Sequence, residues 1–175
     1  MRQFNEGVKL RYIEECDAEQ IAKWLSTPNG SGTSRALAAH KLKSAEHWRD
    51  AARSKYKKMI HLVLRPDGSA IGISFFHNID VKSKSLHLGL AVLDATARGK
   101  GYGFSAKLLQ LHTVFDELKM ETVVERLSAT EVKLADYMVR ELGCRRRGSV
   151  GDMIELEIDR ASWEESKARR RASKH

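Results

Sequence analysis

Ala97-Arg98-Gly99-Lys100-Gly101-Tyr102-Gly103-Phe104 is the stretch that decides how this 175-residue chain folds. Three glycines alternate with other residues directly after an arginine. The apolar stretch Leu86 to Leu93 precedes them, and a helical pattern from Phe104 to Leu118 follows. A glycine-rich turn between a strand and a helix N-terminus suits an anion, because first-turn amides lack acceptors within the helix and the dipole favours negative charge. Glycine also brings the backbone close to the anion and adopts positive φ. The stretch is read as a site for a phosphate or pyrophosphate.

Outward from this turn, apolar periodicity divides the chain into short elements. Val8 to Ile13 alternates as a first strand. Asp17 caps a helix through about Leu25, with Ile21, Trp24 and Leu25 on one face. Ser26 to Ser34, with Pro28, Gly30 and Gly32, is a loop. Ser34 to about Tyr56 is helical and breaks near Lys43-Ser44. Met59 to Leu64 and Ala70 to Ile79 form a hairpin across Arg65-Pro66-Asp67-Gly68. Leu86 to Leu93 is the next strand, after a polar turn from Asp80 to Ser85. Beyond the glycine turn and its helix come a strand from Thr122 to Leu127 and a helix from Glu131 to Leu142, ended by Gly143. A closing strand runs from Val150 to Ile158. The order β, αα, βββ, α, β, α, β implies an α/β or α+β domain with a mixed sheet.

A length of 175 residues suits one domain, and 42% hydrophobic with 31% charged residues is ordinary for a globular protein. No apolar run approaches the roughly 20 residues of a membrane span. Met1 to Leu10 is polar, unlike a signal peptide. Cys16 and Cys144 show neither metal-ligand spacing nor a disulfide framework, so a reduced, cytoplasmic setting is expected. His40, His47, His61 and His112 form no metal motif with them, and no metal is expected. The net charge of +8 favours anionic partners. Two basic clusters stand out, Arg145-Arg146-Arg147 and the tail from Lys167 to His175. The domain is expected to span 1–165, with 166–175 a flexible basic arm. That arm is either a solvated terminus or a contact for RNA or ribosome phosphates.

The element order, with Arg98, Gly101 and Gly103 in the pattern Arg-x-x-Gly-x-Gly, resembles the GNAT superfamily of acetyl-CoA-dependent N-acetyltransferases. Leu10-Arg11 with Asp17-Ala18-Glu19 looks like the opening of its ribosomal-protein and polyamine acetyltransferase branch. Phe115-Asp116-Glu117-Leu118, Arg140-Glu141-Leu142-Gly143-Cys144 and Asp159-Arg160 with Trp163 resemble later segments of the same branch.

The resemblance implies a mixed central sheet flanked by helices, with a splayed strand pair, and acetyl-CoA as co-substrate. Its pyrophosphate would rest on Gly99, Lys100, Gly101, Tyr102, Gly103 and Phe104, with Arg98 and Lys100 adding charge. The strand ending Ala91-Val92-Leu93 would splay from Thr122–Leu127. The N–H of Val92 or Leu93 would polarise the acetyl carbonyl. His87 stands where relatives carry a glutamate base, and an imidazole can serve there directly or through water. Relatives carry a tyrosine acid where Val139 falls here, with Tyr137 two residues earlier. Ser128 or Thr130 takes the place of an asparagine common at that helix's start. Glu14, Glu15, Trp24, Trp48, His77 and Asn78 could line the acceptor cleft. The implied activity is acetyl transfer to a primary amine: a protein N-terminus, an aminoacyl-tRNA, an amino sugar or a polyamine. The positive charge leans toward a ribosomal or RNA-linked acceptor. The alternative is a CoA-binding or regulatory module without turnover. Either could be monomer or homodimer, with no membrane partner.

Overall fold

A computed structural model describes residues 7–26 and 44–173. Most of the loop expected from Ser26 to Ser34, the first part of the helix expected from Ser34, His40, and Lys174 and His175 of the expected arm lie outside the described residues. Seven strands are present among the described residues: β1 (Lys9–Tyr12), β2 (Ile60–Leu64), β3 (Ala70–Asp80), β4 (Ser85–Val92), β5 (Thr122–Ser128), β6 (Arg145–Val150) and β7 (Met153–Asp159). Their order in the sheet is β1-β2-β3-β4-β5-β7-β6. Five helices accompany them among the described residues: α1 (Ala18–Ser26), α2 (Ala45–Arg53), α3 (Tyr102–His112), α4 (Val132–Leu142) and α5 (Arg160–Ala172). The α/β class and mixed sheet expected from the sequence are what the chain adopts. None of these helices is long and apolar enough to cross a membrane.

The described residues fall into two compact units. One takes the chain up to Phe76 together with Gly89–Gln110; the other takes His77–Leu88 and everything from Leu111. In the first unit β1 pairs antiparallel with β2, and β2 with β3. Strand periodicity sends alternate residues to opposite faces. Leu62 joins one core with Ile73, Ala91 and Leu93, covered by Ile21 and Leu25 of α1 and Trp48 of α2. Its neighbour Val63 joins another with Ile71, Ala97 and Ala106. Asp17 does not cap α1 directly. It lies in a short 3-10 turn, Glu15–Asp17, where its carboxylate accepts from the Glu14 amide at 2.7 Å and holds Arg11 at 2.9 Å.

In the second unit β4 and β5 pair in parallel from Ser85↔Thr122 to Leu88↔Glu125, four positions before β4 ends. β5 then pairs antiparallel with β7 along its length. Val123, Leu127, Ile154, Leu156 and Ile158 are buried, while Arg126 is exposed. On α4, Ala135, Met138 and Leu142 are buried, and on α5 Trp163, whose ring stacks on Phe115 at 6.1 Å.

Three elements differ from expectation. The single closing strand is a hairpin, β6 and β7, reversed at Gly151 with φ 61°. β6 carries Arg145, Arg146 and Arg147 and is exposed throughout, so no apolar alternation marks it. The helix expected to reach Leu118 is α-helical to His112, then forms a π turn, Thr113–Glu117, in which the Leu118 amide donates to the Thr113 carbonyl at 2.9 Å. The arm expected to be free from residue 166 continues α5 to Ala172. Ser166 is fully buried and donates to the Glu141 carbonyl at 3.1 Å, and Lys167 pairs with Asp116 at 3.0 Å. α5 is otherwise polar, so these contacts and the single buried ring of Trp163, and not an apolar stripe, dock it.

Candidate active site

The glycine turn is built in the first unit. Asp94 opens it by accepting from the Thr96 amide at 2.8 Å, and Arg65 braces Asp94 at 2.9 Å. Gly99 and Gly101 take φ of 72° and 84°, which residues with a Cβ rarely adopt. The Gly101 carbonyl accepts from the Ser105 amide at 3.1 Å and so starts α3. Tyr102, Gly103 and Phe104 form the first helical turn, whose amides an α-helix leaves without acceptors of its own. A Cβ at Gly103 would lie 3.3 Å from the Val92 side chain, so glycine seats the helix N-terminus against the end of β4. A Cβ at Gly99 would meet nothing within 4 Å. Ser105, which sequence reasoning missed, is buried with no partner for its Oγ. Two left-handed glycines, a helix start and an orphaned buried hydroxyl are a donor set that fits a pyrophosphate. Lys100 is close enough to act electrostatically on Asp94. Arg98 turns to the strand instead, donating to the Val92 and Leu93 carbonyls at 3.3 and 3.4 Å.

The end of β4 is fixed from several sides. The Leu93 amide donates to the Ile71 carbonyl at 2.8 Å. The next amide, that of Asp94, donates to the same carbonyl at 3.0 Å. Of the two expected polarising donors, Leu93 is therefore engaged elsewhere and Val92 remains the candidate. A Cβ on Gly72 would fall 2.0 Å from the Ala91 carbonyl oxygen, and one on Gly89 would fall 2.0 Å from the Phe75 ring. Gln110 is wholly buried on α3; its Nε2 donates to Ser74 Oγ at 2.7 Å and to the Gly89 carbonyl at 2.9 Å. Leaving that carbonyl without its donor would cost about 1–3 kcal/mol. A glycine inside an apolar strand signals such close approach, but nothing in the sequence singles out Gln110.

His87 lies on β4 in the second unit, with its Nδ1 buried and unbonded. The His77 ring from β3 stands 5.2 Å away, tilted by 59°. Burial holds the His87 pKa below the ordinary histidine value; Arg126 and Arg147 push the same way, and Glu155 opposes them. Burial also lowers His77, with His87 and Arg126 adding to it. Both rings therefore favour the neutral form near pH 7. Arg126 is bonded to Glu155 at 2.8 Å.

The model of the acetyltransferase (GNAT) domain matches residues 8–140. The chain belongs to the GNAT acetyltransferase family. No curated protein matches it. Among solved structures, a probable acetyltransferase is similar at TM-score 0.74 and 18% identity, covering 92% of this chain and 97% of its own. A chimera of the spermidine N-acetyltransferase SpeG from Vibrio cholerae and hSSAT reaches TM-score 0.73 at 14% identity, covering 91% and 99%. Ribosomal-protein-S5-alanine acetyltransferase from Vibrio fischeri reaches 0.68 at 18%, covering 90% and 96%. The branch expected from the sequence is thus represented among the folds it resembles.

In this GNAT domain Thr130, Tyr137 and Val139 lie in the second unit. Thr130 follows β5, where its Oγ1 and the Ser128 Oγ lie 2.9 Å apart and the Ser128 amide donates to Glu131 at 3.1 Å. Tyr137 is half-buried on α4, with the Arg140 guanidinium 5.4 Å above its ring. Val139, in the usual tyrosine place, is exposed. Of the expected cleft residues, Trp48 is core at 4% exposure and Trp24 packs beside it. Glu14 and Glu15 pair with Arg11 and Arg53.

Proposed function

We propose that this protein is an N-acetyltransferase that moves the acetyl group of acetyl-CoA directly to a primary amine. The observation that carries the reading is the glycine turn, with left-handed Gly99 and Gly101 opening α3 beside Val92. Residues 99–104 hold the pyrophosphate, with Lys100 adding charge. The Val92 N–H donates to the acetyl carbonyl oxygen, where negative charge grows as the amine attacks. Thr130 belongs to the same cofactor-binding set. The acceptor nitrogen forms the new C–N bond and the C–S bond breaks. His87, held neutral, takes the proton the nitrogen sheds, and Tyr137 supplies one to the departing sulfur. Candidate acceptors are a protein N-terminus, an aminoacyl-tRNA, an amino sugar and a polyamine. The setting is cytoplasmic.

A second reading, a CoA-binding module without turnover, draws on Val139 in the usual tyrosine place. Two measurements separate them. Thermal shift with acetyl-CoA and with CoA tests the turn, and an unmoved melting temperature with both overturns each reading. Thiol release against a panel of amines tests transfer; binding without release on any amine favours the second.

A further inference from the structure

An acidic cap stands at the entrance to a turn read as holding an anion. Asp94 Oδ1 accepts from the amide and the hydroxyl of Thr96, both at 2.8 Å, and so shapes the segment that leads into the glycines. The carboxylate is ionised near pH 7. Burial would raise its pKa, but the Thr96 hydrogen bonds and the charges of Arg65 and Lys100 outweigh burial and hold it below the ordinary carboxylate value. Its negative charge opposes a pyrophosphate and offsets the positive charge of Lys100. Arg65 answers that charge from the β2–β3 hairpin. Its carbonyl accepts from the Gly68 amide and its amide donates to the Ser69 carbonyl, each at 2.9 Å, so its backbone is fixed by the hairpin turn. Its side chain leaves the hairpin. Nη2 donates to Asp94 Oδ2 at 2.9 Å and to Thr96 Oγ1 at 2.7 Å, so one nitrogen holds both partners of the cap. The guanidinium carbon lies 5.8 Å from the centre of the Tyr102 ring in the first turn of α3, within cation–π reach. The side chains of Arg65 and Asp94 are 22% and 26% exposed, so solvent screens the pair only in part.

We propose that Arg65 is a positioning residue for cofactor binding: it neutralises Asp94, so that the carboxylate caps the turn without repelling the pyrophosphate or cancelling the charge of Lys100. Arg65 touches no reacting atom and acts through Asp94 and Thr96. The inference rests on the glycine turn being the CoA site, and not on turnover. It commits to signs. With the pair intact the two charges cancel. Without Arg65 a negative charge faces the anion. Without the carboxylate a positive charge faces it, and an asparagine in its place still caps the turn.

The test is calorimetric titration of CoA into the full chain, its two single variants and their combination. Arg65→Gln should weaken CoA about fivefold at about 50 mM salt. Asp94→Asn should tighten it about threefold. The double variant restores neutrality and should return to within about twofold of wild type. Both single effects should fade at about 1 M salt, where charges are screened within about 3 Å. A brace that only holds the turn in shape predicts another pattern: both single variants weaken CoA, at any salt, and the double variant does no better. Weaker binding by Asp94→Asn, or a double variant no tighter than Arg65→Gln, therefore overturns the proposal. The sign of the Asp94→Asn effect decides it if Arg65→Gln melts below the assay temperature. A wild type that binds no CoA overturns the functional reading together with this proposal. Variants that match a wild type that does bind overturn this proposal alone.

Discussion

The glycine turn and the His87 face are built from opposite materials. The turn is main chain: two glycines in left-handed conformations and the first amides of α3. Side chains can change around it, but a Cβ in the wrong place cannot be absorbed. The His87 face is side chains drawn from five strands: His77, His87, Arg126, and Glu155 with Arg147 across the β6–β7 hairpin. Single changes there keep the backbone and alter the charge that the imidazole feels. A backbone site is all-or-none; a side-chain site is graded.

Gly101→Glu should break the first half outright. At φ 84° an L-residue is strained, by roughly 1–2 kcal/mol, and the carboxylate repels the pyrophosphate. A ligand at a hundred times its Kd stabilises the wild type by about 2.7 kcal/mol, and that thermal shift should vanish in the variant. An acetyl-CoA affinity equal to wild type would remove the turn from the site. His87→Ala should act on turnover instead. Loss of a general base costs about 10²–10⁴-fold, with CoA affinity nearly intact. Steady-state thiol release checks it, and a drop below about tenfold would assign His87 to packing alone.

The same contrast explains what the sequence disclosed. Arg98 to Phe104 was legible because glycines at a strand–helix junction are local chemistry. Gly143, in the left-handed conformation that ends α4, was legible for the same reason. β6 and α5 were not, because an edge strand of arginines and a polar helix carry no apolar period. Both are held by partners distant in sequence, such as Lys167 on Asp116 and Arg145 on Asp159. Gln110 and Ser105 were hidden because a buried polar side chain looks like a surface one until its surroundings are known. His87 was legible as a position. The His77 ring beside it and the arginines that tune it depend on register across the sheet.

Arg126→Gln gives the smallest effect and sharpens the comparison most. His87 is lowered first by burial, which the substitution leaves, and next by Arg126, which it removes. Arg147 and Glu155 remain, and Glu155 is then held only by Arg147 at 3.7 Å. The remaining carboxylate favours the imidazolium, so the His87 pKa should rise toward the ordinary value. A base must be neutral to accept a proton. In the wild type the lowered pKa keeps activity as pH falls into the range where an ordinary histidine would already be protonated. In the variant the acid limb of the rate profile should move to higher pH, with rates converging near pH 8, a rough upper bound above which either imidazole is neutral. The shift should be modest, because Arg126 is 42% exposed and screened by solvent. It should shrink further as salt rises. The His77 ring stands 5.2 Å from His87 and also feels Arg126, so His77→Gln in the same background separates a relayed effect from a direct one. An acid limb that stays put, or moves to lower pH, would mean that the imidazole of His87 is not the group whose ionisation limits the rate.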